Sequence, residues 1–156
     1  KWHLIGHLQT NKVKYIIDKV DLIHSVDSLK LAQEISNRAE KIDKVQDVLI
    51  QVNVADETQK FGVSPDEVES LLKEISRLSH IRVCGLMNIA PFVDNPEALR
   101  NDFQVMKKLF DGLEAYNFDN VKSMYLSMGM SNDYEIALEE GSNMLRIGTK
   151  IYGKRN

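Results

Sequence analysis

Cysteine is almost absent from this sequence, and histidine is scarce. The single cysteine, Cys84, lies in the apolar run 81–87 of a chain of 156 residues. One cysteine excludes an internal disulfide and a multi-cysteine metal site, and its apolar neighbours favour a buried side chain over a nucleophile. The four histidines are His3, His7, His24 and His80. Their spacing does not match a metal-binding cluster, so no metal site is predicted.

Long apolar runs and an excess of one charge are also missing. The chain has 20 Lys and Arg residues against 23 Asp and Glu residues, for a formal net charge of −3. This balance lacks the basic footprint of a nucleic-acid-binding protein, and no run approaches the ~20 apolar residues that span a bilayer. Because 43% of the residues are hydrophobic, residues 1–156 can form one globular domain. We expect it to be cytoplasmic and to bind neither nucleic acid nor membrane.

Strands alternate with helices along the whole chain. The predicted strands cover residues 2–6, 21–26, 47–54, 81–89, 124–128 and 144–147. Of the five predicted helices, one ends near Ile17, three cover residues 29–41, 65–78 and 98–116, and the last follows Ser131. This alternation predicts parallel strands joined by right-handed crossovers. An open doubly wound sheet and a (β/α)8 barrel both fit; because a barrel typically needs ~250 residues, length alone favours the open sheet.

Polar residues collect where the predicted strands end. They are His7, Gln9, Asn11, Ser25, Asp27, Asn53, Asn88, Ser127, Ser131, Gly148 and Thr149. If the strands are parallel, these ends share one rim, where ligands bind in α/β proteins. The rim contains no carboxylate pair at glycosidase spacing, no catalytic triad and no Walker or GxGxxG loop. It therefore suits holding a phosphorylated small molecule better than unaided catalysis.

The last third of the chain carries the strongest signal for a phosphate site. Ser131 is a candidate N-cap for the helix that follows it, and free N–H groups in a first helical turn attract anions. The final predicted strand contains Arg146 and ends at Gly148 and Thr149, where glycine allows close approach of a ligand. Ordinary turn chemistry explains the same small residues. Arg146 either lies on an edge facing water or points at a ligand, and periodicity does not choose.

Of the histidines, only His7 is placed near this rim. His3 and His24 fall within predicted strands and are interpreted as packed, hydrogen-bonded residues. His80 is interpreted as the end of a helix, where a partial positive charge is favourable.

Six blocks of the sequence resemble, in order, those of the YggS/PROSC family of pyridoxal-phosphate homeostasis proteins. They are WHLIGHLQTNK (2–12), HSVDS (24–28), QVNVADETQKFG (51–62), GLMNI (85–89), SMGMSNDYEIAL (127–138) and RIGTKIYG (146–153). The resemblance implies a (β/α)8 barrel of the alanine racemase type, here incomplete with about six of eight strands. It also implies that the first two strands of the family, with its Schiff-base lysine, precede Lys1. Lys12, Lys60 and Lys150 do not match that lysine, so no catalytic residue is assigned.

The resemblance also implies a set of cofactor-binding residues. Ser131, Gly148 and Thr149 correspond to residues that hold the phosphate of pyridoxal 5′-phosphate (PLP), with Met130 in the same turn. Arg146 corresponds to the arginine that faces the pyridine nitrogen. His7, Asn11 and Asn53 are expected to line the other side of the ring. Met87 is interpreted either as a residue near the ring edge or as core filler.

The function that this resemblance implies is intracellular PLP homeostasis, by storage or delivery of the cofactor without robust turnover. The protein is expected to be a monomer or weak dimer, with PLP-dependent enzymes as recipients. A PLP-dependent racemase of fold type III is the alternative, although such enzymes need a second catalytic residue, usually a tyrosine from another domain or subunit. The five tyrosines here, Tyr15, Tyr116, Tyr125, Tyr134 and Tyr152, have structural explanations on helix or strand faces. A regulatory phosphate-binding module is a third reading.

Overall fold

The computed structural model describes residues 1–55 and 61–153. Lys60 and most of the predicted polar loop at 55–61 lie outside the described residues. The strands of the described chain form one sheet: β1 (His3–Leu4), β2 (Leu22–Val26), β3 (Gln46–Val52), β4 (Ile81–Asn88), β5 (Val121–Met130) and β6 (Met144–Arg146). All five neighbouring pairs are parallel, as predicted.

The order of the strands in the sheet is the order in the chain, β1-β2-β3-β4-β5-β6. A doubly wound sheet reverses direction at a switch point, and no reversal occurs among the described strands. The preference for an open sheet, which rested on chain length, is therefore wrong. Sequential parallel strands that turn in one direction form the arc of a (β/α) barrel, as the resemblance implied.

Helices fill the crossovers between these strands. The α-helices are α1 (Leu29–Glu40), α2 (Val68–Ile75), α3 (Arg100–Gly112), α4 (Tyr134–Glu139) and the short α5 (Thr149–Tyr152). Within the described residues, 3-10 turns add Thr10–Tyr15, Pro65–Glu67, Pro96–Leu99 and Leu113–Tyr116. Helix α1 begins as predicted, because the backbone N–H of Leu31 donates to the Ser28 hydroxyl at 3.3 Å. The interpretation of His80 is wrong, since α2 ends at Ile75 and His80 directly precedes β4.

Two groups of buried side chains separate the outside of the arc from its inside. The larger group lies between sheet and helices and includes Ile23, Val48, Ile50, Leu86 and Phe103. The smaller group contains Leu22, Leu49, Cys84 and Met87, with Tyr125 and Met144 packed against it. Because side chains alternate along a strand, Leu22 and Ile23, or Leu49 and Ile50, face opposite sides of the sheet. The smaller group is the barrel interior.

The arc closes far enough for strands that are not neighbours to touch. The ring of His24 on β2 lies 3.1 Å from the hydroxyl of Ser127 on β5, although β3 and β4 separate these strands in the sheet. Among the described residues, β1 pairs only with β2 and β6 only with β5. Between these two edges lies a cavity of ≈ 450 Å³, lined by His3, Ile5, His24, Met144, Leu145, Arg146, Ile147 and Gly148.

Candidate functional site

Arg146, at the end of β6, lines this cavity and is anchored by three hydrogen bonds. Its Nη1 donates to the carbonyl oxygen of Ser127 at 2.9 Å and to the Ser127 hydroxyl at 2.7 Å. Its Nη2 donates to the carbonyl oxygen of Asn88 at 2.6 Å. The side chain thus bridges the ends of β4, β5 and β6. Of the two interpretations of Arg146, the structure supports the one in which it points inward rather than toward water from an edge.

The charge of Arg146 is only partly compensated. All three hydrogen-bond acceptors are neutral oxygen atoms, and burial lowers the pKa of the guanidinium to about 10, an effect that nearby Asp133 opposes. At neutral pH the group remains a cation. A cation held by neutral oxygens beside a cavity is suited to an electron-rich atom of a ligand.

A second set of donors lies where β5 and β6 end. The hydroxyl oxygen of Ser131 accepts hydrogen bonds from the backbone N–H of Gly148, at 3.2 Å, and of Lys150, at 3.3 Å. Two backbone donors therefore converge on one oxygen atom. Ser131 is half-buried, whereas Gly148 and Thr149 are exposed. The structure thus brings Ser131 and Gly148 together, as the sequence predicted, with Thr149 between the two donors.

The predicted role of Ser131 as a helix N-cap is wrong. Helix α4 begins at Tyr134 and its N-cap residue is Asp133, so Ser131 lies two residues too early. The carboxylate of Asp133 instead accepts from the backbone N–H of Met130 at 2.6 Å, and its own N–H donates to the Met130 carbonyl at 3.2 Å. Asp133 therefore closes a turn with Met130, at a position where the sequence pattern predicted the first turn of the helix. The Ser131 hydroxyl is left free to face the loop after β6.

Gly129 brings this turn close to the last strand. Its φ of +97° is one that side chains rarely adopt, and a Cβ there would lie 2.6 Å from the Cβ of Ala137. The glycine lets β5 end directly against α4, which fixes the position of Met130 and Ser131.

Sequence reasoning missed a polar chain that supports Arg146 from inside the barrel. From the Ser127 hydroxyl it continues to His24 Nδ1, at 3.1 Å, and from His24 Nε2 to His3 Nδ1, also at 3.1 Å. Burial, reinforced by the charge of Arg146 and by His3, lowers the pKa of His24 to about 4. The interpretation of His24 as packed and hydrogen-bonded is confirmed. His3 shares the bond but is exposed and borders the cavity.

The remaining predicted ring-side residues lie on the β1 to β3 part of the rim. His7 is exposed after β1, and its ring stacks on Phe61 with centroids 3.5 Å apart. Asn11 is exposed in the 3-10 turn Thr10–Tyr15. Asn53 follows β3 half-buried, and its backbone N–H donates to Val63 at 2.8 Å. Their role in binding a ligand stays a prediction.

Cys84 and Met87, two residues of β4 singled out in the sequence, are both buried. Cys84 is buried, and burial raises the pKa of its thiol to about 11, so it is not a thiolate nucleophile. Met87 is buried with it in the barrel interior. Among residues 1–55 and 61–153, no group of three His, Cys, Asp or Glu side chains could hold a metal ion. No helix within these ranges is long and apolar enough to cross a membrane.

Comparison with known proteins identifies the family of this chain. A sequence model of the family "Alanine racemase, N-terminal domain" matches residues 1–156. The pyridoxal phosphate homeostasis protein of Aquifex aeolicus (strain VF5) is 49% identical over 155 residues, which cover 99% of this chain and 67% of that protein. The protein of the same name from Vibrio alginolyticus is 40% identical over 100% of this chain and 66% of its own length. The chain thus spans about two thirds of these relatives.

Solved structures give the same result. PipY of Synechococcus elongatus, solved with PLP bound, has a TM-score of 0.88 and 31% identity, with 98% of this chain and 70% of PipY covered. Alanine racemase of Clostridium difficile 630 has a TM-score of 0.77 at 19% identity, which shows a shared fold alone. The chain belongs to the alanine racemase N-terminal domain family, and within it to the pyridoxal phosphate homeostasis proteins.

Proposed function

We propose that this protein binds PLP at the carboxyl ends of β5 and β6 and serves intracellular PLP homeostasis. The observation that carries the proposal is the pairing of two donor sets on adjacent strand ends. Ser131 Oγ receives the N–H groups of Gly148 and Lys150, and Arg146 is held as a cation at the end of the same strand that Gly148 follows. A phosphate and a ring nitrogen would occupy these two places.

The phosphate side has the required space and donors. A Cβ built on Gly148 would meet nothing within 4 Å, so open space faces the backbone there. The φ of Gly148 is −122°, which lies outside the left-handed region, so a positive φ is not the reason for a glycine at this position. Ser131, Gly148 and Thr149 would hold the phosphate through backbone N–H groups and hydroxyls, as phosphate is held after the last two strands of (β/α) barrels. Met130 would take part as a residue of the same turn.

The ring side is suited to an unprotonated pyridine nitrogen. The guanidinium of Arg146 contains only hydrogen-bond donors and stays charged at neutral pH. It would therefore donate a hydrogen bond to the pyridine nitrogen. When bound, PLP supplies an electron sink for substrates, and a nitrogen that accepts from arginine is a weaker sink than one paired with a carboxylate. Asn53, His7 and Asn11 are proposed to line the opposite side of the ring.

This electrostatic setting favours carrying the cofactor, or racemase-like chemistry, over deep carbanion stabilisation. The relatives that are 40–49% identical are named for PLP homeostasis, whereas the likeness to alanine racemase extends to the fold alone. The racemase alternative is therefore not favoured. We further propose a single partial barrel domain over residues 1–156, a cytoplasmic location, a monomer or weak dimer, and PLP-dependent enzymes as recipients.

The proposal is tested by equilibrium dialysis with PLP and with pyridoxal, which lacks the phosphate. We expect saturable binding of one PLP, weaker binding of pyridoxal, and weaker PLP binding in Ser131→Ala and Arg146→Lys. Equal affinity for PLP and pyridoxal would contradict the phosphate site. Binding that neither substitution weakens would place the ligand elsewhere.

A further inference from the structure

The residues behind Arg146 form a one-way chain of hydrogen bonds across the barrel interior. An arginine can only donate, so the Ser127 hydroxyl oxygen accepts from Nη1 at 2.7 Å. The one hydroxyl hydrogen of Ser127 must then be donated to another acceptor. Among the described residues, the acceptor within hydrogen-bond distance of this hydroxyl is His24 Nδ1, at 3.1 Å. The arrangement that satisfies both bonds has Ser127 donating to His24.

The protonation of His24 follows from the same assignment of donors and acceptors. A neutral imidazole has one N–H, and if Nδ1 accepts from Ser127 the proton lies on Nε2. Nε2 can then donate to His3 Nδ1, 3.1 Å away. The opposite tautomer would leave the buried Ser127 proton without a described acceptor, which is costly. A doubly protonated ring would add a second positive charge beside Arg146. The low pKa of His24 agrees with the neutral ring.

We propose that His24 is a positioning residue for Arg146: its Nδ1 takes the Ser127 proton and so turns the Ser127 oxygen toward the guanidinium. A hydroxyl that donates to one partner accepts more strongly from another, because linked hydrogen bonds polarise each other. His24 is 1% exposed and Ser127 0% exposed, so both groups of this hydrogen bond are buried. The effect on Arg146 stands on geometry, whereas its consequence for cofactor binding rests on the proposed function.

The test compares three substitutions. His24→Leu removes the acceptor at similar volume, and His24→Asn restores a side-chain carbonyl acceptor close to the place of Nδ1. Ser25→Ala is the matched control, because Ser25 is buried on the same strand and its hydroxyl has no hydrogen-bond partner among the described residues. Nitrogen-15 NMR reads the His24 tautomer and the rotation of the Arg146 guanidinium. Urea unfolding, followed in parallel, records stability.

We expect the His24 proton on Nε2 in the wild type. Rotation of the Arg146 guanidinium should be faster in His24→Leu, close to wild type in His24→Asn, and unchanged in Ser25→Ala. Dialysis should show PLP binding about tenfold weaker in His24→Leu, the equivalent of one hydrogen bond to a charged group. If the role of His24 is merely structural, His24→Leu should lower the stability of the protein without changing the rotation of the Arg146 guanidinium.

Two results would overturn the proposal. One is a proton on His24 Nδ1 in the wild type, and the other is guanidinium rotation that is the same in wild type and His24→Leu. If His24→Leu does not fold, the wild-type tautomer still decides. Failure of PLP to bind the wild type would instead defeat the proposed function, and the NMR results on Arg146 would remain valid.

Discussion

The Ser131 hydroxyl accepts the backbone N–H of Gly148 across a gap of 3.2 Å and so joins the loop after β5 to the loop after β6. The N–H of Lys150 reaches the same oxygen at 3.3 Å. Backbone donors that converge on one hydroxyl oxygen are arranged for an acceptor, and a phosphate oxygen is a stronger acceptor than a hydroxyl. Serine therefore joins the two loops, and in the proposed complex its own hydroxyl hydrogen would be donated to the phosphate.

Replacing Ser131 by alanine should weaken PLP binding about tenfold or more. The variant loses a hydroxyl donor to a charged group, a contact that contributes roughly 1.5–3 kcal/mol. Dialysis with PLP and with pyridoxal measures the effect, which should be large for PLP and small for pyridoxal. The control is Ser70→Ala, because the exposed Ser70 hydroxyl donates to the carbonyl of Glu67, away from the ends of β5 and β6. Equal losses for both ligands would argue against a phosphate contact.

Gly148→Ala separates a requirement of the ligand from a requirement of the fold. A Cβ at Gly148 meets nothing within 4 Å, so the free energy of unfolding should change by less than about 1 kcal/mol. PLP affinity should fall because the new methyl group occupies space beside the phosphate donors.

The contrasting variant is Gly85→Ala. Gly85 has a φ of +140°, and a Cβ there would lie 1.9 Å from the carbonyl oxygen of Tyr125. We expect this variant to unfold at clearly lower urea concentration. A loss of stability in Gly148→Ala similar to that in Gly85→Ala would show that the glycine of the last loop serves folding instead.

Local chemistry made much of the fold predictable. Helix α1 begins at Leu29 behind its Ser28 cap, and the buried strands β3 and β4 lie within two residues of their predicted ends. Weakly patterned elements were less predictable. The first strand was expected at 2–6 and covers only His3–Leu4, and β5 was expected at 124–128 and extends over Val121–Met130.

The curvature of the sheet could not be read from residue patterns. Alternating strands and helices predict parallel pairing for an open sheet and for a barrel alike, so length misled the choice between them. The contact of His24 with Ser127 depends on that curvature, because the two residues are 103 positions apart in the chain. Ser131 could be identified as part of the rim because it follows a predicted strand. Its contact with the loop after β6 depends on how the strands are arranged in space, so the sequence predicted a helix cap there instead.

Arg146→Lys should reduce PLP affinity at least tenfold although the charge is kept. The planar guanidinium holds the Ser127 carbonyl, the Ser127 hydroxyl and the Asn88 carbonyl together, and a lysine ammonium cannot reproduce that fork. Dialysis and the absorption spectrum of bound PLP are the measurements.

Arg82→Lys is the matched control for this change. Arg82 makes two hydrogen bonds to the Asp47 carboxylate, at 2.8 and 2.9 Å, near the opposite end of the sheet. Affinity should be unchanged in that variant. If both lysine variants bind PLP as the wild type does, Arg146 does not contact the ring.

The stability of the protein should fall in mild acid because of His24. Its pKa in the folded protein is lowered from 6.5 to about 4, since burial and the charge of Arg146 disfavour the protonated ring. Between these values the unfolded chain binds more protons, so stability is full above about pH 6.5 and is lost as the pH falls toward 4. The shift corresponds to a loss of up to about 3 kcal/mol.

Urea unfolding of wild type and His24→Asn between pH 4 and 7 measures this contribution. Asparagine does not titrate, so the free energy of unfolding of the variant should depend less steeply on pH over this interval. Asp27, whose pKa burial raises, is present in both proteins and cancels from the difference. Ser25→Ala keeps His24 and should follow the wild-type curve. Parallel curves for wild type and His24→Asn would mean that folding does not lower the pKa of His24, against the burial and the charge of Arg146 that disfavour the protonated ring.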